Sequence, residues 1–145
     1  MTETDLAWAA GFFDGEGSIT IARNYGPNLG RGLRMKIAVA QVDPAPLLKL
    51  HGMFGGCIRY HYRPTRPEHR VAHEWTVGSR DAMRVLSLLL PYLVNKHEQA
   101  RLAIAFQQGK GATGKRLDGW KIAEEEAVRE AIMEAHRFVY EPIAA

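Results

Sequence analysis

Hydrophobic and polar positions alternate most cleanly at Leu33-Arg34-Met35-Lys36-Ile37-Ala38-Val39-Ala40. Leu33, Met35, Ile37 and Val39 share one side, and Gly32, Arg34, Lys36 and Ala38 share the other, so the stretch predicts a half-buried strand with an apolar face for helices and a cationic or small face for something else. A partner strand is expected from Ser18 to about Tyr25, joined to it by the turn-rich Asn24 to Gly32, which is too long for a tight turn. Upstream, the apolar run Leu6 to Phe13 predicts a helix, with Thr4 or Asp5 to cap its start and Gly15 and Gly17 to stop it.

The same order then repeats. Pro44 and Pro46 open a second helix, Leu47 to Phe54, with Leu47, Leu48, Leu50 and Phe54 at helical spacing and Gly55-Gly56 as its stop. A second hairpin follows: Cys57 to Arg63 places Ile58, Tyr60 and Tyr62 opposite Arg59, His61 and Arg63. It is joined through Pro64 to Arg70 to a return strand, Val71 to Gly78, with Trp75 and Val77 inward and Glu74 and Thr76 outward. The Tyr60 and Tyr62 pair is expected in the core and Cys57 as a packed thiol. Ser79 or Asp81 caps a third, buried helix, Ala82 to about Leu90, which Pro91 interrupts. Asn95 caps a fourth through Gln107. Residues 109–118 read as a basic linker, and 119–140 as a C-terminal helix whose Glu124-Glu125-Glu126 complement its N-terminus. The expected fold class is α+β, in the order αββαββα with further helices after it. Both hairpins join into one antiparallel sheet with helices on one face, within a single domain spanning 1–145.

Charge sharpens this picture. Residues 1–22 hold four acids and no Lys or Arg, whereas 23–80 hold ten Lys/Arg against Asp43, Glu68 and Glu74, a local +7 within a chain of net +3. A cationic middle on an alternating sheet suggests a polyanionic partner. With Cys57 as the one cysteine there is no internal disulfide framework, and no leader or membrane-spanning apolar run is visible, so an intracellular protein, cytoplasmic or organellar and not secreted, is expected. Gly109-Lys110-Gly111-Ala112-Thr113-Gly114 has dinucleotide-loop spacing but follows no strand, and His61 and His73 lack zinc-finger spacing.

The chemistry gathers at Ala10-Gly11-Phe12-Phe13-Asp14-Gly15-Glu16-Gly17-Ser18-Ile19. Two acids among glycines are common turn punctuation, but here they end an apolar helix and precede a strand. The segment resembles the signature of the LAGLIDADG homing endonucleases, in which an apolar helix carries a metal-binding acid at its C-terminal end. That acid falls on Glu16, where the family usually has Asp. The resemblance covers about residues 5–108 and implies the single-motif type, a saddle of sheet over double-stranded DNA.

It also implies roles outside the motif: Gln41, in Val39-Ala40-Gln41, to orient a water, and Lys96, in Pro91-Tyr92-Leu93-Val94-Asn95-Lys96, to steady a phosphate or the leaving oxygen. Glu16 with Gly15 is the expected site for Mg2+ or another divalent cation, Mn2+, or Ca2+ in a non-cleaving complex. Phosphodiester hydrolysis with divalent ions needs more carboxylate than one Glu16, so a second copy is wanted. A homodimer supplies it if the opening helices meet through Ala7, Ala10 and Gly11, beside Asp14. On the outer sheet face, Arg34, Lys36, Arg59, His61 and Arg63 are the candidate DNA readers, flanked by Ser18, Thr20, Asn24, Arg31, Arg66, Arg70, Glu74 and Thr76. The competing readings are a non-cleaving nucleic-acid binder of the same fold, such as an intron maturase or regulator, and a basic protein with no nucleic-acid role.

Overall fold

The computed structural model describes residues 1–23, 32–62, 70–110 and 119–135. In chain order the described elements are α1 (Glu3–Glu16), β1 (Gly17–Arg23), β2 (Leu33–Gln41), α2 (Ala45–Phe54), β3 (Cys57–Tyr62), β4 (Ala72–Gly78), α3 (Ser79–Leu89), a 3-10 turn (Leu90–Tyr92), α4 (His97–Gly109) and α5 (Gly119–Ala135). Expected positions 24, 25, 31, 63–69, 111–118 and 136–140 lie outside the described residues.

The four strands form one antiparallel sheet in the order β1-β2-β4-β3. Its register confirms the alternation: Ile19 faces Ile37, Ile21 faces Met35, and Val39 and Ile37 face Trp75 and Val77 across the central pair. These residues are buried together with Phe13 of α1, Leu47 and Leu50 of α2, and Val85, Leu86 and Leu89 of α3, which makes one continuous core under the helix-side face. The same register puts Ser18, Thr20, Arg34, Lys36, Ala38, Glu74, Thr76, Cys57 and Arg59 on the opposite face.

Several local expectations are corrected. The cap of α1 is Thr2, whose hydroxyl accepts from the Asp5 amide at 3.2 Å while the Asp5 carboxylate accepts from the Thr2 amide at 2.9 Å; Asp5 is the reciprocal arm of a capping box. Gly15 does not stop the helix, which runs to Glu16. Gly17 ends it by close approach, since a Cβ there would lie 2.3 Å from the Phe13 ring. In α2, Leu48 is 59% exposed, on the face turned from the core. Gly56, at φ +91°, brings the end of α2 against β4 where a Cβ would meet Thr76 O at 2.5 Å, and the Trp75 indole donates to Gly55 O at 2.8 Å.

Ser79 does not cap α3: it is the helix's first residue, at φ +53°, behind an N-cap Gly78 that makes no side-chain bond. Tyr60 is 61% exposed rather than in the core. It projects from the helix-side face beyond the cover of the helices, near a bulge, with its ring 5.5 Å from His73. Cys57 is exposed on the outer face. Glu124 to Glu126 lie past the first turn of α5, and Glu125 and Glu126 make tertiary contacts to Leu33 and Arg23 instead of serving the helix terminus.

Candidate functional site: the end of the first helix and the outer sheet face

Because α1 passes into β1 with no intervening loop, Glu16 is the last helical residue and stands exposed at the edge of the sheet. Two residues earlier, Asp14 turns the other way. Its Oδ2 accepts from the amides of Val94 at 2.7 Å and Asn95 at 3.0 Å, and its Oδ1 accepts from the Lys96 amide at 2.9 Å. These amides form the entry to α4, whose N-cap, Lys96, makes no side-chain cap of its own. Asn95 is therefore not the cap. A carboxylate from α1, 80 residues away in sequence, instead holds the turn that leads into the helix, and negative charge is favoured at a helix N-terminus. Burial pushes the Asp14 carboxyl up, but the Val94, Lys96 and Asn95 amides more than reverse this and hold it below its usual value.

The turn anchored by Asp14 delivers Lys96. Its ammonium donates to the Asp14 carbonyl, so the side chain lies along the end of α1, and the residue is only 9% exposed. Burial lowers the Lys96 pKa, with Asp14 and then Glu16 opposing that shift through their charge. A buried cation beside an exposed carboxylate is thus fixed at this edge by the chain's own amides. Gln41 ends β2 at the same edge, two residues past Val39, the register partner of Gly17; it is half-buried and makes no hydrogen bond to Glu16 or Lys96 among the described residues. Sequence reasoning missed the anchoring role of Asp14. The signal was a second acid two residues before Glu16, which helical geometry turns to the other side of the helix end.

The dimer positions divide. Ala10 is fully buried within the single chain and, with Ala9 and Phe13, faces the core. Asp14 has both carboxylate oxygens engaged internally. Ala7 and Gly11 remain exposed, and a Cβ on Gly11 or Gly15 would meet nothing within 4 Å, so a strip of small residues runs open along α1. On one flank Trp8 stacks on Phe12 at 5.6 Å, with the Lys49 ammonium 4.2 Å over the Trp8 ring.

On the outer sheet face Ser18, Thr20, Arg34, Lys36 and Arg59 are exposed, and Arg70 is exposed just before β4. Glu74 pairs with Lys36 at 3.5 Å, and its register partners are Ala40 and Arg59. Thr76 shares this face but is buried between Ala38 and Cys57, its register neighbours, so it is not open to a partner. The backbone of His61 lies in β3, while Asn24, Arg31, Arg63 and Arg66 lie outside the described residues. Among the described residues no group of three His, Cys, Asp or Glu could hold a metal ion, and no helix is long and apolar enough to cross a membrane.

No family model matches the sequence, and no curated protein does. Solved structures do. The homing endonuclease I-CvuI in complex with DNA, in the presence of magnesium, is matched at 23% identity over 97% of this chain and 87% of that one, with a TM-score of 0.75. The archaeal intron-encoded homing endonuclease I-Vdi141I, complexed with DNA, is matched at 14% identity over 98% and 90%, with a TM-score of 0.74. The LAGLIDADG homing endonuclease I-GzeII, also with a DNA target, is matched at 17% identity over 97% of this chain but 54% of that one, with a TM-score of 0.63. The fold described above is the LAGLIDADG homing-endonuclease fold.

Proposed function

We propose that this chain is one half of a homodimeric, divalent-metal-dependent endonuclease that cuts a long, nearly palindromic duplex DNA site. The observation that carries the reading is the α1–α4 junction, where Asp14 uses three amides to hold Lys96 beside Glu16 at the edge of a cationic sheet. The DNA complexes among the similar structures support the same partner.

The donor set fits a hard divalent ion that keeps waters and takes substrate phosphates. Glu16 offers one exposed carboxylate, with Gly15 beside it, and a second copy would bring another. Such an ion would supply charge neutralisation at the phosphate and a more acidic water. The chain's own contribution is positional. The Lys96 ammonium meets developing charge on the phosphate or leaving oxygen through a charge-assisted hydrogen bond, and its partial burial strengthens that contact. Gln41, at the same sheet edge, orients a water through its amide. Arg34, Lys36 and Arg59 reach base edges or phosphates from the outer face, because a strand ribbon fits the major groove.

The open strip on α1 supports two-copy assembly, since Ala7 and Gly11 let a second backbone come close while Ala10 secures the helix to its own core. The comparison with I-GzeII supports it too, since this chain spans about half of that longer protein.

Glu16→Gln tests the assignment. The amide keeps the shape and loses the charge, so cleavage should fall by at least about 10²–10³-fold, the scale of one preorganised electrostatic group, while DNA affinity is retained. Cutting by the variant at the wild-type rate would overturn the assignment. A wild-type protein that binds duplex DNA with a steep salt dependence yet never cuts with Mg2+ or Mn2+ would be the non-cleaving binder instead.

A further inference from the structure

The C-terminal helix lies outside the resemblance in sequence, yet it grips the first hairpin at the end where β1 and β2 are connected. Arg23 and Leu33 are the last paired residues of the β1–β2 ladder, and α5 holds both. Glu125 Oε2 accepts from the Leu33 amide at 3.1 Å, and Glu126 Oε1 accepts from Arg23 Nε at 3.0 Å. Lys110, the first residue after α4, completes the grip. Its ammonium donates to the Leu33 carbonyl, stands 3.6 Å from Glu125 Oε1 and lies 5.1 Å over the Phe106 ring. Both polar groups of the Leu33 backbone are thus held by one ion pair. Glu125 is among the few buried charged residues, and its Oε1 has no partner closer than Lys110. A buried carboxylate kept for packing alone would be costly, and apolar side chains of similar size would serve that purpose as well or better. Its partner is a backbone amide, so what it controls is the position of a strand.

The next residue along that strand is Arg34. Leu33 points into the core, and Arg34 points out among the basic residues of the opposite face. We propose that Glu125 and Lys110 are positioning residues for Arg34, fixing the end of β2 so that the guanidinium meets its base or phosphate in one register. Glu126, through Arg23, steadies the paired strand. This inference rests on the DNA-reading role proposed for the outer face.

The test uses the full-length protein, with the Leu33 amide followed by hydrogen exchange and base preference measured on a randomised duplex library. Glu125→Ala should speed Leu33 exchange by at least roughly tenfold, because the amide loses its acceptor while the rest of the ladder is retained. It should also flatten base preference at the positions that Arg34→Ala flattens, by roughly tenfold, with other positions unchanged. The double variant should lose no more than Arg34→Ala alone, which is the signature of residues acting as one unit. Glu125→Gln keeps an acceptor for the amide and should restore much of both readouts. Additive losses in the double variant, or a uniform loss across all positions that tracks the melting temperature, would overturn the proposal. If Glu125→Ala does not fold, Glu126→Ala, which releases Arg23 from α5 and so frays the same end of the ladder, should give both effects at smaller size, and a profile indistinguishable from wild type in both exchange and preference would overturn the proposal. If the wild-type protein binds no DNA, the reading of the outer face fails, while Leu33 exchange still decides whether the grip exists.

Discussion

The α1–α4 junction and the outer face of the sheet both concentrate charge, and they engage it differently. At the junction the Asp14 carboxylate bonds to three amides of the same chain, and the Lys96 ammonium lies on a carbonyl of the same chain. On the outer face Arg34, Lys36 and Arg59 stand exposed, with a 3.5 Å pair between Lys36 and Glu74 across the central strands. The first region is preorganised by the chain's own backbone, and the second leaves most of its charge exposed. Within a few residues the chain switches between these modes: Ala10 is buried and Gly11 open, Asp14 engaged and Glu16 exposed, Ile37 in the core and Lys36 outside. The lesson is that one chain can hold charge rigidly on its own backbone and leave it solvated a few residues away.

Substitutions at engaged positions should change folding, and those at open positions should change function alone. The largest contrast is at α1. A side chain on Gly11 has free space within one chain, so Gly11→Leu should leave the monomer folded yet separate the two helices, abolishing both assembly and cutting. Sedimentation showing a fully active monomer on an asymmetric site would refute the two-copy argument.

Next in size is the strand pair. Ile37→Ala should cost about 2–5 kcal/mol of stability as a buried truncation, with base preference unchanged in whatever stays folded. Arg34→Ala should leave the urea midpoint in place and relax base preference by roughly 1–3 kcal/mol if its contact is bidentate to guanine. If the contact is to a phosphate, the salt slope should instead drop by about one. If Ile37→Ala alters preference while Arg34→Ala only unfolds the protein, the two faces are interchanged.

The smallest effect is expected at Asp14. Asp14 accepts from the N-cap amide of α4 and from the turn before it, and loss of an acceptor at a helix terminus costs about 0.5–2 kcal/mol. Because the folded-state pKa is depressed, this stabilisation is fully present above the unfolded-state value and is lost as pH falls through the lower folded value. Urea melts across the acid range should therefore show a component of the pH dependence that disappears in Asp14→Ala. An unchanged acid profile would mean that the three amides find another acceptor.

The strands of this protein were legible in its sequence because alternation has a period of two and one face of the sheet is buried. Once Leu33, Met35, Ile37 and Val39 are committed to the core, Arg34 and Lys36 have only one side left. The pattern also put both acids, Asp14 and Glu16, where a helix hands over to a strand, and only the resemblance to the family signature singled out Glu16. What only the tertiary structure decided are the partners of groups far apart along the chain. The turn into α4 is held by Asp14 and not by an Asn95 cap, because amides take the nearest acceptor in space and proximity in space is not written in local pattern. Thr76 alternates outward and yet is covered by its neighbours, and Tyr60 alternates inward and yet is exposed, because alternation assigns a face while coverage depends on how far the helices and adjoining strands extend. Glu125 read as one of three acids complementing the N-terminus of the last helix until the fold brought α5 against the Leu33 amide. A buried carboxylate is read from its surroundings, which a single sequence does not contain.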